Sequence, residues 1–181
     1  MIIRDSTEAD ADALAAIYGH DVLNGFGTFE EVPPTPQEML QRRAAIVQWG
    51  LPHLVAEDGG KVLGFAYAGL FRPRAAYRYT VEDSVYVSPD AFGLGVGKAV
   101  LSEVLTRCEV MGLRQVMAVI GDSGNAGSIG LHRSLGFEPA GICRSVGFKH
   151  GRWVDTVWMQ KPLNGGDSRA PDAPGLALAG H

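Results

Sequence analysis

Cysteine is scarce in this chain. Cys108 and Cys143 are the only two, and they show no paired spacing, which leaves neither a disulfide framework nor a thiolate metal site to build on. Long apolar runs are missing too, and nothing approaches the roughly 20 residues of a membrane span. The start, Met1-Ile2-Ile3-Arg4-Asp5, lacks the basic and apolar regions of a signal peptide. A basic excess is also lacking. The net charge is −4, so no overall positive field draws nucleic acid. These absences point to a reducing cytosol, no membrane, no nucleic acid and no metal. What is present is ordinary for one globular domain with a single core: 181 residues, 46% of them apolar.

Met1 to Asp5 reads as a short strand. Thr7-Glu8-Ala9-Asp10 fits a capping box, and Leu14, Ile17 and Tyr18 give the next helix its stripe. Gly19 to Pro34, with three glycines and two prolines, reads mostly as loop. Thr35-Pro36-Gln37-Glu38 starts a helix that runs to about Trp49. Strands follow at His53–Glu57 and Val62–Leu70 across the turn Asp58-Gly59-Gly60. Phe71 to Tyr79 breaks the pattern with Arg72, Arg74 and Arg78 beside Tyr77 and Tyr79. Arginine forks suit carboxylate or phosphate-like groups, and tyrosines make walls with a polar tip. The strand at Thr80–Val87 puts Glu82, Ser84 and Tyr86 on one face and Val81, Asp83, Val85 and Val87 on the other. Further elements are a helix through Val100, Val104 and Cys108, a strand at Gln115–Ile120, a helix from Asn125 to Leu135, and a hairpin of Ala140–Phe148 with Trp153–Met159. Residues 1–162 form the domain. Residues 163–181, rich in Gly, Ala and Pro, read as a flexible tail.

The segment Val85-Tyr86-Val87-Ser88-Pro89-Asp90-Ala91-Phe92-Gly93-Leu94-Gly95-Val96-Gly97-Lys98 is a strand, a glycine turn and a helix start. Such a turn gathers unpaired N–H groups at the positive end of a helix dipole and makes a seat for phosphate. A dinucleotide fingerprint would need glycine at Lys98. A P-loop would need glycine at Phe92 and a hydroxyl residue at Ala99. Both readings fail. The turn resembles the pyrophosphate loop of the GNAT superfamily of N-acetyltransferases, with Phe92 where that pattern has Gln or Arg.

A second stretch, Asn125 to Phe137, ends in Leu135-Gly136-Phe137 and resembles the second cofactor motif of the same superfamily. Thr80 to Val87 and Gly147-Phe148-Lys149-His150-Gly151-Arg152-Trp153 are similar to its phosphinothricin and methionine sulfoximine branch. The resemblance spans roughly residues 2 to 162. It implies an α/β (α+β) fold, a mixed and mostly antiparallel sheet flanked by helices, in which a splayed strand pair holds acetyl-CoA. It implies that Val85, Tyr86 and Val87 meet the pantetheine arm, that Gly93, Leu94, Gly95, Val96, Gly97 and Lys98 hold the pyrophosphate, that Asn125 bonds the pantetheine and that Ser134 nears the far cofactor end. It also implies a homodimer.

Direct transfer from a thioester needs a base for the amine, donors for the oxyanion and a proton for the thiolate, but no protein nucleophile. Glu82 is the candidate base. His132 and Tyr86 compete as proton donor. Arg72 and Arg74 are placed to grip an acidic group of a small amino-acid-like substrate, with Pro73 between them in the substrate site, Phe29 and Tyr77 as walls and Glu82 at the ammonium. Two other readings stand beside this one: acetylation of a peptide or protein N-terminus, and a non-catalytic acyl-CoA sensor.

Overall fold

A computed structural model describes residues 1–178. Seven strands form one sheet: β1 (Ile2–Asp5), β2 (His53–Asp58), β3 (Lys61–Leu70), β4 (Thr80–Val87), β5 (Gln115–Gly121), β6 (Glu138–Lys149) and β7 (Arg152–Pro162). Their order is β1-β2-β3-β4-β5-β7-β6. Every pairing is antiparallel except β4 with β5. Four helices flank it: α1 (Ala11–Asn24), α2 (Pro36–Val47), α3 (Val96–Val110) and α4 (Ala126–Ser134).

The alternation of β3 and β4 divides the core. Phe65 lies opposite Tyr86 in the ladder, and both pack with Leu14, Ile17, Val22 and Met39 of α1 and α2. Ala66, Ala68, Val81, Val85 and Val87 face the other way, onto Val100, Leu101, Val104 and Cys108 of α3. Side chains as fully buried as Leu14 and Leu101 contribute about 1.5–3 kcal/mol each.

Two sequence expectations change. Helix α1 runs on to Asn24 through Gly19, where a loop was expected. Glycine there lets Pro33 cross the helix, since a Cβ would lie 3.2 Å from the Pro33 ring. The burial of Ile17 and Val22 on either side outweighs its poor helix propensity. The segment after Pro162 has neither helix nor strand, but it lies against the body. Leu163 and Leu176 are buried. Buried Arg114 donates to the carbonyls of Gly166 and Arg169. Tyr79 donates to Ala173, and the Leu176 N–H donates to Arg78. Residues 179–181 of the expected tail lie outside the described residues.

What positions the site is the parallel pair. Strands β4 and β5 are in register from Thr80↔Gln115 to Asp83↔Ala118 and no further. Beyond that point β4 continues to Val87 along β3, and β5 continues to Gly121 along β7. A V opens between them.

Candidate active site

The V is a cleft of about 770 Å³ that passes through the sheet. Ser84, Val85, Tyr86 and Val87 line one wall and Ala118 to Gly121 the other. The cleft-side edge of β4 has no ladder partner past Asp83, so its backbone groups are open to an extended ligand. At one end lie Phe92, Gly93, Gly95, Val96, Gly97 and Lys98. Gly93 and Gly95 have φ near +77° and +78°, a conformation that favours glycine. Gly97 is required for a different reason: a Cβ would meet Leu131 at 3.2 Å and Val87 at 3.3 Å. The first i+4 bond of α3 is Ala99 N–H to Gly95 O, so the amides of Val96, Gly97 and Lys98 precede the helical bonding, the arrangement that suits an anion.

Phe92 is 63% exposed and sits at the cleft mouth. Of the predicted phosphate residues, exposed Leu94 does not reach the cleft. Asn125 lines the cleft while its side-chain oxygen caps α4 by accepting from Ser128 N–H at 3.1 Å. Ser134 also lines it, its hydroxyl turned to Leu131 O.

His132 and Asp83 meet at the apex. His132 Nε2 lies 3.0 Å from Asp83 Oδ2, and Nδ1 lies 2.7 Å from Ser128 O. A carbonyl only accepts, so Nδ1 carries a proton. Burial disfavours a charged imidazole, but the Asp83 carboxylate outweighs it and the His132 pKa moves up. Both ring nitrogens are engaged, and Asp83 Oδ1 is buried without a partner.

On the opposite face of β4, Glu82 is half-buried. Burial pushes its carboxyl above the ordinary range, Arg72 pulls it back, and Asp83 adds to the rise. Arg72 lies 4.4 Å from the Phe71 ring and 6.0 Å from the Trp158 ring. Tyr77 packs edge-on to Phe71. Pro73 and Arg74 are exposed beside it. Tyr86 packs against Tyr18 and Phe65 at 4.8 and 5.2 Å. Its burial, with Tyr67 and Tyr18 nearby, holds the hydroxyl protonated well past the ordinary phenol value. Phe29 lies across Gly147 and Gly121, where no side chain would fit.

An open strand edge joined to a glycine-built phosphate seat suits acetyl-CoA, and the comparison with known families agrees. The model of the Acetyltransferase (GNAT) family matches residues 19–137. The chain belongs to the GNAT acetyltransferase family. It is an acetyl-CoA-dependent N-acetyltransferase. It is 54% identical over 171 residues to phosphinothricin N-acetyltransferase of Alcaligenes faecalis, covering 94% of this chain and 85% of that one. It is 44% identical to an L-methionine sulfoximine/L-methionine sulfone acetyltransferase of Pseudomonas paraeruginosa, covering 90% and 94%. Among solved structures, a GNAT phosphinothricin acetyltransferase from Sinorhizobium meliloti in complex with acetyl-CoA superposes with a TM-score of 0.90 at 50% identity, over 94% of this chain and 92% of that one.

In this GNAT acetyltransferase, Val85, Tyr86, Val87, Gly93, Gly95, Val96, Gly97, Lys98, Asn125, His132 and Ser134 line one cleft. Glu82, Phe29 and the residues from Arg72 to Tyr77 are not among the residues that line it. Sequence reasoning gave Asp83 no role. Its signal was a carboxylate on an otherwise apolar strand face, which needs a partner. Lys149 was also missed. It is 1% exposed and donates to Gly25 O at 2.9 Å and Thr28 O at 2.8 Å, tying the end of β6 to the loop that carries Phe29. Asp21 lies under the same loop, with Gly25 and Gly27 against its carboxylate. Neither had a periodicity signal, because the loop they hold has no period. Among the described residues no group of three or more His, Cys, Asp or Glu is placed to hold a metal.

Proposed function

We propose that the protein acetylates the α-amino group of a small amino acid or analogue of the phosphinothricin or methionine sulfoximine type, by direct attack within a ternary complex. The observation that carries this is Glu82: a half-buried carboxylate with a raised pKa, within electrostatic reach of Arg72, on the strand whose next residues line the cleft. The substrate names of the similar enzymes favour the same class.

In this reading, backbone groups of Val85 to Val87 hold the pantetheine, the amides of Gly93 to Lys98 hold the pyrophosphate, and Asn125 and Ser134 complete the cofactor wall. Arg72 and Arg74 grip the acidic end of the substrate, with Pro73, Tyr77 and Phe29 as its walls. Glu82, directly or through water, takes a proton from the ammonium, and the freed lone pair attacks the thioester carbonyl. A backbone N–H near Val85 steadies the oxyanion. The C–N bond forms and the C–S bond breaks; the thiolate takes the proton of the Tyr86 hydroxyl, the acetylated nitrogen sheds its second proton to restore that hydroxyl, and Glu82 releases its own proton to solvent. Tyr86, which lines the cleft, is preferred to His132 because both His132 nitrogens are already engaged.

The working form in this reading is a cytoplasmic homodimer. Strand β6 is an edge strand with Ile142, Val146 and Phe148 exposed, a template that a second copy can cover. No helix among the described residues is long and apolar enough to cross a membrane, and neither cysteine is paired.

Thiol release from acetyl-CoA, screened over amino acids, phosphinothricin, methionine sulfoximine and short peptides, tests the proposal. Saturable turnover of the small amino acids or analogues is expected. Turnover of peptides alone would move the reading to N-terminal acetylation. Tight acetyl-CoA binding without any turnover would make the protein a sensor.

A further inference from the structure

The two arms of the V have no sheet bonds between them beyond Asp83 and Ala118. One arm is β4 with the glycine turn and α3. The other is β5, which turns through Asp122 to Asn125 into α4. Among the described residues, one side-chain hydrogen bond crosses back between them at the point where the ladder stops. His132 on α4 reaches Asp83 on β4, the last residue of the parallel register.

The pair is locked from both sides. The ring is held by Ser128 O at Nδ1 and by the edge of Phe137, whose centroid lies 5.0 Å away. The carboxylate faces buried Cys108, whose thiol is pushed up to about 12 by burial and by Asp83. Two nearly inaccessible polar side chains are costly to bury unless their bond is made. That bond is directional, so it sets a separation, whereas an apolar contact would let the arms slide.

We infer that Asp83 is a positioning residue that, through His132, ties β4 to α4 and fixes the width of the acetyl-CoA cleft at its apex. This rests on the reading of the cleft as the acetyl-CoA site. The pair acts as a brace between the arms, and the proton chemistry belongs to Glu82 and Tyr86 on the other face.

The test is calorimetric titration with acetyl-CoA beside steady-state kinetics. Asp83→Ala and Asp83→Leu are expected to raise the acetyl-CoA Kd about tenfold, the scale of a coupled buried pair. Asp83→Asn is expected to recover most of that loss, because its amide can donate to Nε2 of a neutral imidazole. In a His132→Ala background, a further change at Asp83 should not move the Kd. The loss should fall on Kd and KM for acetyl-CoA rather than on kcat. Should Asp83→Ala not fold, the Asn variant and His132→Gln carry the comparison: Asn near wild type in Kd, with His132→Gln weakened, supports the brace. The inference is overturned if the Ala or Leu variant binds like wild type, if the Asp83 and His132 effects add, or if Asn loses kcat as severely as Ala with Kd unchanged. Failure of the wild-type protein to bind acetyl-CoA would overturn the site reading and the brace together. Normal wild-type binding with unmoved variants overturns the brace alone.

Discussion

In the proposed reading, the two halves of the site are built from different material. The cofactor half is backbone: an unpaired strand edge, a left-handed turn at Gly93 and Gly95, and the amides at the start of α3. The proposed substrate half is side chain: Glu82 within electrostatic reach of Arg72, and Arg72 over the ring of Phe71, against which Tyr77 packs. Changing a side chain in the first half alters little unless it disturbs the backbone. Changing one in the second removes a charge or a proton acceptor outright. The contrast teaches that the protein can vary its acceptor substrate without rebuilding its acetyl-CoA cleft.

The largest effect should come from the substrate half. Glu82→Gln keeps the shape but removes the proton acceptor, and kcat/KM should fall about 100- to 1,000-fold. A raised pKa means that the carboxyl stays protonated to higher pH and cannot accept. Activity should therefore fail as pH drops through a value above the ordinary carboxylate range. The acid limb of the kcat/KM profile measures this, and it should vanish in Glu82→Gln. Arg72→Ala removes a cation that lowers the Glu82 pKa, so the same limb should move to higher pH. Full activity in Glu82→Gln would break the division of labour.

The next effect tests the cofactor half through its backbone. Gly97→Val would overpack the space between Leu131 and Val87, at a cost of about 1–3 kcal/mol. Forcing α3 from α4 should weaken acetyl-CoA about tenfold or more in direct titration, with the KM for the amino acid unmoved. Equal losses for both ligands would show that the two halves are not separable.

The same contrast explains what the sequence made legible. The cofactor half was readable because glycine spacing after a strand, and an Asn opening a helix, are local patterns with local causes. The sheet and its helices followed from periodicity. Helix α1 through Gly19 did not, because its reason is Pro33, fourteen residues away. Asp83 and Lys149 were missed for the same kind of reason. Asp83 meets a residue 49 positions on, and Lys149 meets carbonyls more than 120 positions back. The Glu82 strand face was readable from alternation alone, while the electrostatic influence of Arg72 on it depends on how an irregular loop folds back.

A smaller effect is expected at the substrate loop itself. Arg72 is partly spent on its own surroundings, donating to Phe71 O at 2.6 Å and lying over the Phe71 ring. Arg72→Ala should raise the KM for the amino acid about tenfold, the scale of a charge-assisted bond, and leave the acetyl-CoA Kd unchanged. An unmoved amino-acid KM would take Arg72 out of the clamp.

The smallest effect should be at Phe92, although the position stands in the phosphate motif where Gln or Arg is expected. The ring is 63% exposed at the cleft mouth and buries little. In the proposed reading the ligand is met by amides whose direction is set by Gly93, Gly95 and the start of α3. Phe92→Gln adds one solvated donor, and a contact of that kind gains about as much as an exposed polar pair. The acetyl-CoA Kd should therefore move less than about threefold. A shift as large as that of Gly97→Val, with the fold intact by thermal melting, would mean that the phosphate is read by side chains. The two halves of the site would then be made of the same material.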